Sequence, residues 1–169
     1  SNISGTYGAF LKKWDKRAYK KFEVYRLEVI KNNKKNRCFN ENSLELIKKI
    51  KGDILYIDPP YNSRQYVSNY HVLETAALYD YPEVKGKTVQ RKDNATKKST
   101  FCIKKEVLNS FEQLLKKAKF KYIILSYSNE GLMDLKDIER IMKENGKSET
   151  FERYEILIED LKVEVHQKK

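Results

Sequence analysis

A short acidic and aromatic motif follows an apolar run near the middle of the chain. Residues 54–57 are apolar without alternation, the pattern of a strand that is buried on both faces of a parallel sheet. The run stops at Asp58. Pro59-Pro60 then predicts a rigid, extended loop, because proline has no backbone N–H to donate to a sheet. Open α/β sheets bind their ligands at this carboxyl end of the strands.

The loop presents the groups that a planar base with an exocyclic amine requires. Asp58 offers a carboxylate, the two prolines offer backbone carbonyls, and Tyr61 offers a flat ring. Two acceptors can take the two amine hydrogens while the ring stacks on the base. We therefore predict a nucleobase site with four catalytic residues, which are Asp58, Pro59, Pro60 and Tyr61.

Length and charge favour one domain that binds a polyanion. The 169 residues suffice for a single domain with its own core, and we assign residues 1–169 to it. Lys and Arg number 35 against 24 Asp and Glu, so the net charge is +11 and the pI is about 9.4. Such a charge favours nucleic acid through counterion release, although a Lys-rich proteome produces the same excess.

The cysteines, histidines and hydropathy exclude several other classes. Cys38 and Cys102 are far apart, so we expect free thiols in a reduced, cytoplasmic protein. His71 and His166 are too few and too distant for a metal site, and none is predicted. No run of about 18 apolar residues exists, so we expect neither a membrane span nor membrane binding.

The residues before the motif predict a helix, an extended segment and a strand–helix unit. Apolar residues at helical spacing predict an amphipathic helix over 7–18, and residues 22–30 are predicted to be extended. Residues 37–40 predict a short strand. Asn42 then reads as the N-cap of a helix that ends at Gly52, with Glu45 completing a capping box.

A helix and a basic segment are predicted after the motif. Residues 66–79 have helical periodicity and are followed by Asp80-Tyr81-Pro82, which stops a helix. Residues 83–100 form a basic, apolar-poor loop insertion. Its length predicts either a contact with the DNA backbone or a mobile, solvated insertion. The cations of the DNA-contact interpretation are Lys85, Lys87, Arg91, Lys92, Lys97 and Lys98.

The remaining chain predicts a second buried strand between two helices, then a hairpin. The helices carry apolar stripes over 107–118 and 135–142, and the strand spans 122–127. Residues 128–133 follow that strand and lie beside Asp58 if the two strands are neighbours. Residues 150–158 and 161–165 alternate apolar and polar residues, which predicts an antiparallel hairpin.

The motif with its flanking sequence resembles a known enzyme family. Asp58-Pro59-Pro60-Tyr61, Asn62-Ser63-Arg64-Gln65-Tyr66 and Asn69-Tyr70-His71-Val72-Leu73-Glu74 resemble the Dam-like class of adenine-specific DNA methyltransferases. The resemblance implies an α/β fold, namely part of the Rossmann-like sheet of S-adenosylmethionine-dependent methyltransferases with flanking helices. None of the six glycines forms the Phe-x-Gly-x-Gly turn that binds the cofactor in that class. The chain is therefore expected to be the carboxyl-terminal portion of a catalytic domain that lacks the first, cofactor-loop strand.

The resemblance also implies residue roles. The reaction would transfer a methyl group from S-adenosylmethionine to the exocyclic amine of an adenine flipped out of duplex DNA. Asp58 and the Pro59 carbonyl would accept the amine hydrogens, and Tyr61 would stack on the base. The expected cofactor contacts are Phe39, Asn40, Asn42 and Asp58. The expected contacts with the flipped nucleotide's phosphates are Asn62, Ser63 and Arg64.

Partners and alternatives remain open at this stage. The strand over 54–57 would be an open edge without its cofactor-loop neighbour, so we expect it to pair with a partner subunit that carries that loop or with a second copy. The chain would then be a fragment or one subunit of a split enzyme. Two alternatives are a non-catalytic DNA-binding or assembly subunit, and a methyltransferase acting on RNA or on a protein glutamine amide.

Overall fold

A computed structural model describes residues 19, 21, 25–26, 28–86 and 88–156. The helix predicted over 7–18, the strand predicted over 161–165 and Lys87 lie outside these residues. The described elements are α1 (Ser43–Leu46), β1 (Gly52–Ile57), α2 (Tyr66–Asn69), α3 (His71–Leu78), β2 (Val84–Lys85), β3 (Gln90–Arg91), α4 (Val107–Lys117), β4 (Phe120–Leu125) and α5 (Leu135–Glu144).

The two apolar runs form one parallel pair of strands. β1 and β4 pair in register, with Ile54 opposite Tyr122 and Tyr56 opposite Ile124. The prediction that the two strands are neighbours is thus confirmed, and β4 begins two residues earlier than expected. The described chain is a mixed α/β structure with a small parallel sheet, as predicted. Parallel strands need a crossover connection, and α4 lies in the segment that connects β1 to β4.

The helices α4 and α5 bury one face of this sheet. The apolar stripe predicted for α4 is confirmed, since Phe111 and Val107 are fully buried and pack in one cluster with Ile138 and Ile141 of α5. Ile47, in the turn after α1, completes this cluster below β1. The core therefore fixes the position of β1 and of the loop that follows it.

Within the part of the chain that the structure describes, nothing covers the other sheet face, which contradicts the prediction of a strand buried on both faces. Ile54, Tyr56, Tyr122 and Ile124 share that face and are 50–62% exposed. Side chains alternate between the two faces of a strand, and every described helix that packs on this sheet lies on the opposite side. The apolar run without alternation correctly indicated that both faces of β1 carry apolar side chains. It did not reveal that the described helices pack against only one of those faces.

Before the motif, the helix cap is confirmed and the strand is wrong. The Asn42 side chain accepts a hydrogen bond from the Leu44 N–H at 2.9 Å, as an N-cap does. Glu45 instead pairs with Lys48, so the second half of the capping box is missing. Residues 37–40 have no regular structure, because no strand of the described chain lies beside them to complete a ladder.

The helix predicted over 66–79 is present but broken at Tyr70 into α2 and α3. α3 ends because Tyr79 adopts a left-handed conformation with φ of 51°, before the predicted Asp80-Tyr81-Pro82 stop. The basic segment is organised rather than a bare loop, since β2 and β3 form a hairpin and Lys92–Ala95 and Thr100–Cys102 form 3-10 helices.

At the carboxyl end, α5 has the predicted extent and stops before Gly146. The 3-10 helix Ser148–Thr150 and the irregular residues 151–156 replace the first strand of the predicted hairpin, so that prediction is wrong over the described residues. No described helix is both long enough and apolar enough to cross a lipid bilayer.

Candidate active site

The Asp58 loop leaves the sheet at the carboxyl end of β1. The Ser126 N–H donates to the Ile57 carbonyl at 2.9 Å, so pairing with the neighbouring strand continues to the last residue before the motif. Asp58 is exposed immediately beyond, Pro59 is buried, and the Tyr61 ring is half-exposed. The buried proline anchors the loop, while the carboxylate and the ring face solvent, where a ligand can reach them.

The segment 128–133 lies against this loop, as expected from its sequence position. The Leu132 N–H donates to the Tyr61 carbonyl at 2.8 Å. Tyr127 fixes the segment in turn, because its hydroxyl accepts from the Met133 N–H at 3.0 Å. Its ring lies over Gly131 so closely that a Cβ on Gly131 would be 2.2 Å from Cε1 of Tyr127. Only glycine fits there without displacing the ring.

Tyr66 lies close enough to Tyr61, Tyr70 and Asp58 for all three to influence its hydroxyl. Tyr66 and Tyr70 pack edge to face with ring centroids 5.6 Å apart. Burial raises the pKa of the Tyr66 hydroxyl, and the neighbouring Tyr61, Tyr70 and Asp58 raise it further. Tyr66 therefore lies within electrostatic reach of the motif's carboxylate and of two further aromatic rings. Aromatic rings of this kind suit stacking on a planar base.

The residues after Tyr61 form a tight turn. The Asn62 side-chain oxygen accepts from the Arg64 N–H at 2.9 Å, and the Arg64 carbonyl accepts from the Cys102 thiol at 3.4 Å. Burial raises the pKa of that thiol, so Cys102 serves here as a neutral donor. Ser63 and the Arg64 side chain are exposed. The turn thus places a hydroxyl and a guanidinium next to the motif, facing solvent.

Gln65 ties the motif to the basic segment. Its side-chain amide donates to the Ser99 carbonyl at 3.0 Å and accepts from the Ser99 N–H at 2.8 Å. A second link joins the Gln90 side chain to the Ser68 carbonyl at 3.1 Å. The middle and the carboxyl end of the basic segment are therefore bonded to the chain that directly follows the motif.

Arg91 corrects the prediction for the basic segment. Its side chain is 3% exposed, and its guanidinium pairs with Asp80 at 2.6 Å and with Asp93 at 3.1 Å. These hydrogen bonds raise the pKa of Arg91 and hold the carboxyl pKa values of both aspartates below their usual range. A buried guanidinium that is already bound by two carboxylates is not available to a phosphate, so Arg91 is a structural residue and the predicted DNA contact is wrong for it.

The other cations of the segment divide into two groups. Lys92 pairs with Glu83 and Lys97 pairs with Asp93, both at 2.8 Å. Lys85 and Lys98 are exposed and form no ion pair with another described residue. Lys87, the sixth predicted cation, lies outside the described residues. Of the described cations that were predicted for this segment, Lys85 and Lys98 thus remain free for a phosphate.

The predicted cofactor residues lie on the chain that enters α1. Phe39 is half-exposed and Asn40 is exposed. The Asn42 oxygen is occupied by its capping bond, which leaves its amide nitrogen as the group that could contact a ligand. The described residues contain no cluster of three or more side chains that could hold a metal ion.

Sequence analysis missed the residues that position the site. The sequence pattern placed Tyr127 at the end of a predicted strand and gave Gln65 no role beyond its place in the family resemblance. Their partners are distant in sequence or are backbone groups, which no residue pattern reveals.

Comparison with known proteins supports the resemblance to DNA methyltransferases. Type II methyltransferase M.FokI of Planomicrobium okeanokoites is 54% identical over 92% of this chain, and modification methylase StsI of Streptococcus sanguinis is 46% identical over 85%. Type II methyltransferase M.NlaIII of Neisseria lactamica is 42% identical over 87% of this chain. The chain spans 24%, 22% and 43% of the lengths of these relatives, respectively. No solved structure matches it.

Strand β1, the Asp-Pro-Pro-Tyr loop and helices α2, α3 and α4 all lie within the matched part of the chain. Residues 1–141 match one protein family, and this range contains every residue of the candidate site. The chain therefore belongs to the D12 class N6 adenine-specific DNA methyltransferases.

Proposed function

We propose that this chain carries the catalytic loop of an enzyme that methylates the exocyclic amine of adenine in DNA, with S-adenosylmethionine as the methyl donor. The observation that carries the proposal is the exposed Asp58 carboxylate at the end of β1, next to the half-exposed Tyr61 ring. Family membership supports DNA adenine as the target. The chain spans only part of its relatives, so the activity of a complete enzyme is part of the proposal.

The exocyclic amine of adenine is a poor nucleophile because its lone pair is delocalised into the ring. Asp58 and the Pro59 carbonyl accept its two hydrogens, which turns the nitrogen toward tetrahedral geometry and frees the lone pair to attack the methyl group. In this transfer the exocyclic nitrogen would gain the donor's methyl group, the donor would leave as a neutral thioether, and the amine would lose one proton to solvent beside the exposed Asp58 carboxylate. Positioning and charge stabilisation supply most of the rate enhancement.

The adenine must leave the duplex to reach Asp58. Unstacking costs a few kcal/mol, and stacking on Tyr61 recovers about 1–3 kcal/mol of it. Tyr66 and Tyr70, which contact each other edge to face, are two further exposed rings near this loop on which a base can stack. Ser63 and Arg64, exposed on the turn after the motif, bind the phosphates of the flipped nucleotide, together with the Asn62 amide nitrogen. Lys85 and Lys98 contact the backbone further away.

S-adenosylmethionine supplies an electrophilic methyl group when bound. Phe39, Asn40, Asn42 and Asp58 are the residues that would hold it. The set includes a half-exposed ring and exposed amides, which suit an adenosyl group, but it contains no Gly-rich turn. We therefore expect the 169 residues to bind the cofactor weakly until a Phe-x-Gly-x-Gly segment joins them, from the same polypeptide or from a partner.

The open face and edge of β1 are where that segment docks. Parallel sheets are normally covered on both faces, and here one face carries four exposed apolar side chains. The edge of β1 away from β4 is unpaired over the described residues. Pairing with a strand of the missing part, or with a second copy, satisfies both features. Mass measurement in solution distinguishes a monomer from self-association.

The test is methylation by the chain once it is completed with a cofactor-loop segment. Asp58→Ala is expected to abolish methyl transfer to duplex DNA, whereas the matched control Asp53→Ala, an exposed carboxylate at the start of the same strand, is expected to retain it. Near wild-type transfer by the Asp58→Ala enzyme would refute the assignment. Transfer to RNA or to a glutamine amide in place of DNA would redirect it to another substrate.

A further inference from the structure

Two exposed tyrosines at the end of α3 stand out from the rest of the molecule. Tyr79 and Tyr81 are 75% and 78% exposed, and their rings contact each other with centroids 5.1 Å apart. Both residues have positive φ angles, 51° and 47°. Bulky residues rarely adopt this conformation, because the side chain is crowded against the backbone, and glycine or asparagine normally ends a helix in this way.

Asp80, the residue between the two tyrosines, holds this unfavourable turn in place. Asp80 is bound by two hydrogen bonds from Arg91, at 2.7 Å and 2.6 Å. Arg91 is buried, and it also bonds Thr75 on α3, so the turn is tied both to its own helix and to β3. A strained conformation persists where the surrounding structure imposes it, and such positions cluster at functional sites.

The charges around the rings favour a polyanion as the ligand. Asp80 and Asp93 are paired with Arg91, and Glu83 is paired with Lys92, whereas Glu74 on α3 is exposed and has no ion pair within the described chain. Lys85, on the hairpin strand that pairs with Arg91, is exposed and has no ion pair within the described chain. The chain as a whole carries a net charge of +11, so a phosphate that approaches the rings meets a positively charged protein, with Lys85 as a free cation of the described hairpin.

The position of the rings relative to the motif is also suitable. α3 has eight residues and rises about 12 Å, so Tyr79 lies roughly three to four base steps of 3.4 Å from the start of the helix beside Tyr70. The rings of Tyr79 and Tyr81 therefore lie within a few nucleotide lengths of Tyr70, which contacts Tyr66 in the candidate site.

We propose that Tyr79 and Tyr81 form a stacking platform for unpaired nucleobases of a DNA strand, presented by the Asp80–Arg91 ion pair. Aromatic side chains in a basic setting bind single-stranded nucleic acid by stacking on base faces without selecting sequence. The platform extends the proposed function, since it engages the opened strand outside the catalytic loop.

The test is binding of a labelled single-stranded oligonucleotide and its duplex by the 169-residue chain, followed by fluorescence anisotropy. Tyr79→Ala/Tyr81→Ala is expected to weaken single-strand binding by roughly 5- to 150-fold, the range of one base stack. Tyr79→Phe/Tyr81→Phe keeps both rings and should bind as the wild type does. Tyr154→Ala is the matched control, because Tyr154 is equally exposed but lies elsewhere.

Two further readouts separate a platform from a merely structural role. The salt dependence of binding should have the same slope in all variants, because the rings neutralise no phosphate. Tyr79→Gly relieves the left-handed strain, so it should raise the melting temperature while weakening strand binding. A structural tyrosine would not move these two quantities in opposite directions.

Several outcomes would overturn the platform. Wild-type affinity of the double alanine variant, or equal losses in the alanine and phenylalanine pairs, would exclude stacking by the rings. Unchanged strand binding with altered self-association would assign the surface to protein contacts. If the tyrosine variants bind normally while Asp58→Ala still abolishes methylation, the platform is refuted and the proposed methyltransferase function stands. If the wild-type chain binds neither strand nor duplex, the platform and the proposed DNA contacts both fail.

Discussion

Gly131→Ala tests whether the segment 128–133 positions the Asp58 loop. The new Cβ would lie 2.2 Å, 2.6 Å and 2.8 Å from Cε1, Cζ and the hydroxyl oxygen of Tyr127, so the ring must move. Moving it breaks the hydrogen bond from the Met133 N–H and loosens the one from the Leu132 N–H to Tyr61. Overpacking of this kind costs about 1–3 kcal/mol of unfolding free energy. Methylation by a completed enzyme should fall with it.

A double-mutant cycle in urea unfolding measures the effect. Tyr127→Ala removes the three clashing atoms, so Gly131→Ala should cost close to nothing in that background, a coupling of about 1–3 kcal/mol. Tyr127→Phe removes only the hydrogen bond and should cost roughly 1 kcal/mol. Gly52→Ala is the control, because its new Cβ meets only the Phe120 ring, at 3.1 Å.

Additive free energies, within about 0.5 kcal/mol, would refute the reasoning. They would mean that the ring does not obstruct a Cβ on Gly131 in solution. Full methylation by a destabilised Gly131→Ala enzyme would separately show that the Tyr61 carbonyl needs no support from Leu132.

Three other perturbations follow from the contacts described. Asp80 and Asp93, the acidic partners of Arg91, have lowered pKa values, so the stability that they contribute is complete above the unfolded pKa of about 3.9 and is lost as pH falls through their folded pKa values. In melting curves from pH 7 to pH 2, Arg91→Met should therefore lose less melting temperature on acidification than the wild type does. An equal loss would contradict the ion-pair network. Lys85→Gln/Lys98→Gln should reduce the slope of log affinity for duplex DNA against log salt by about 0.9 per lost phosphate contact, and an unchanged slope would leave these lysines solvated. Phe111→Ala empties a fully buried position and should cost about 3–5 kcal/mol in denaturant unfolding, whereas a cost under about 1 kcal/mol would contradict the packing of α4.

Local sequence determined the elements whose signals are local. The apolar stripes of α4 and α5, the cap at Asn42 and the end of β1 at Asp58 each depend on residues within one or two turns of chain. The family resemblance likewise depended on contiguous residues from Asp58 to Glu74, and family membership confirms it. Such features can be predicted because backbone propensity and side-chain periodicity are set by near neighbours.

Tertiary structure decided what the basic segment does and which sheet face is covered. Arg91 was predicted to contact phosphate, because a cation in a lysine-rich stretch is expected to be exposed to solvent. Its partner Asp80 lies eleven residues away in sequence, and only the fold brings the two together. The Gln65–Ser99 pair spans 34 residues. β1 looked buried on both faces, yet burial depends on which helices pack against it. A residue's type limits the partners it can take, but only the folded chain brings a particular partner within reach, because contacts between distant residues depend on the path of everything between them.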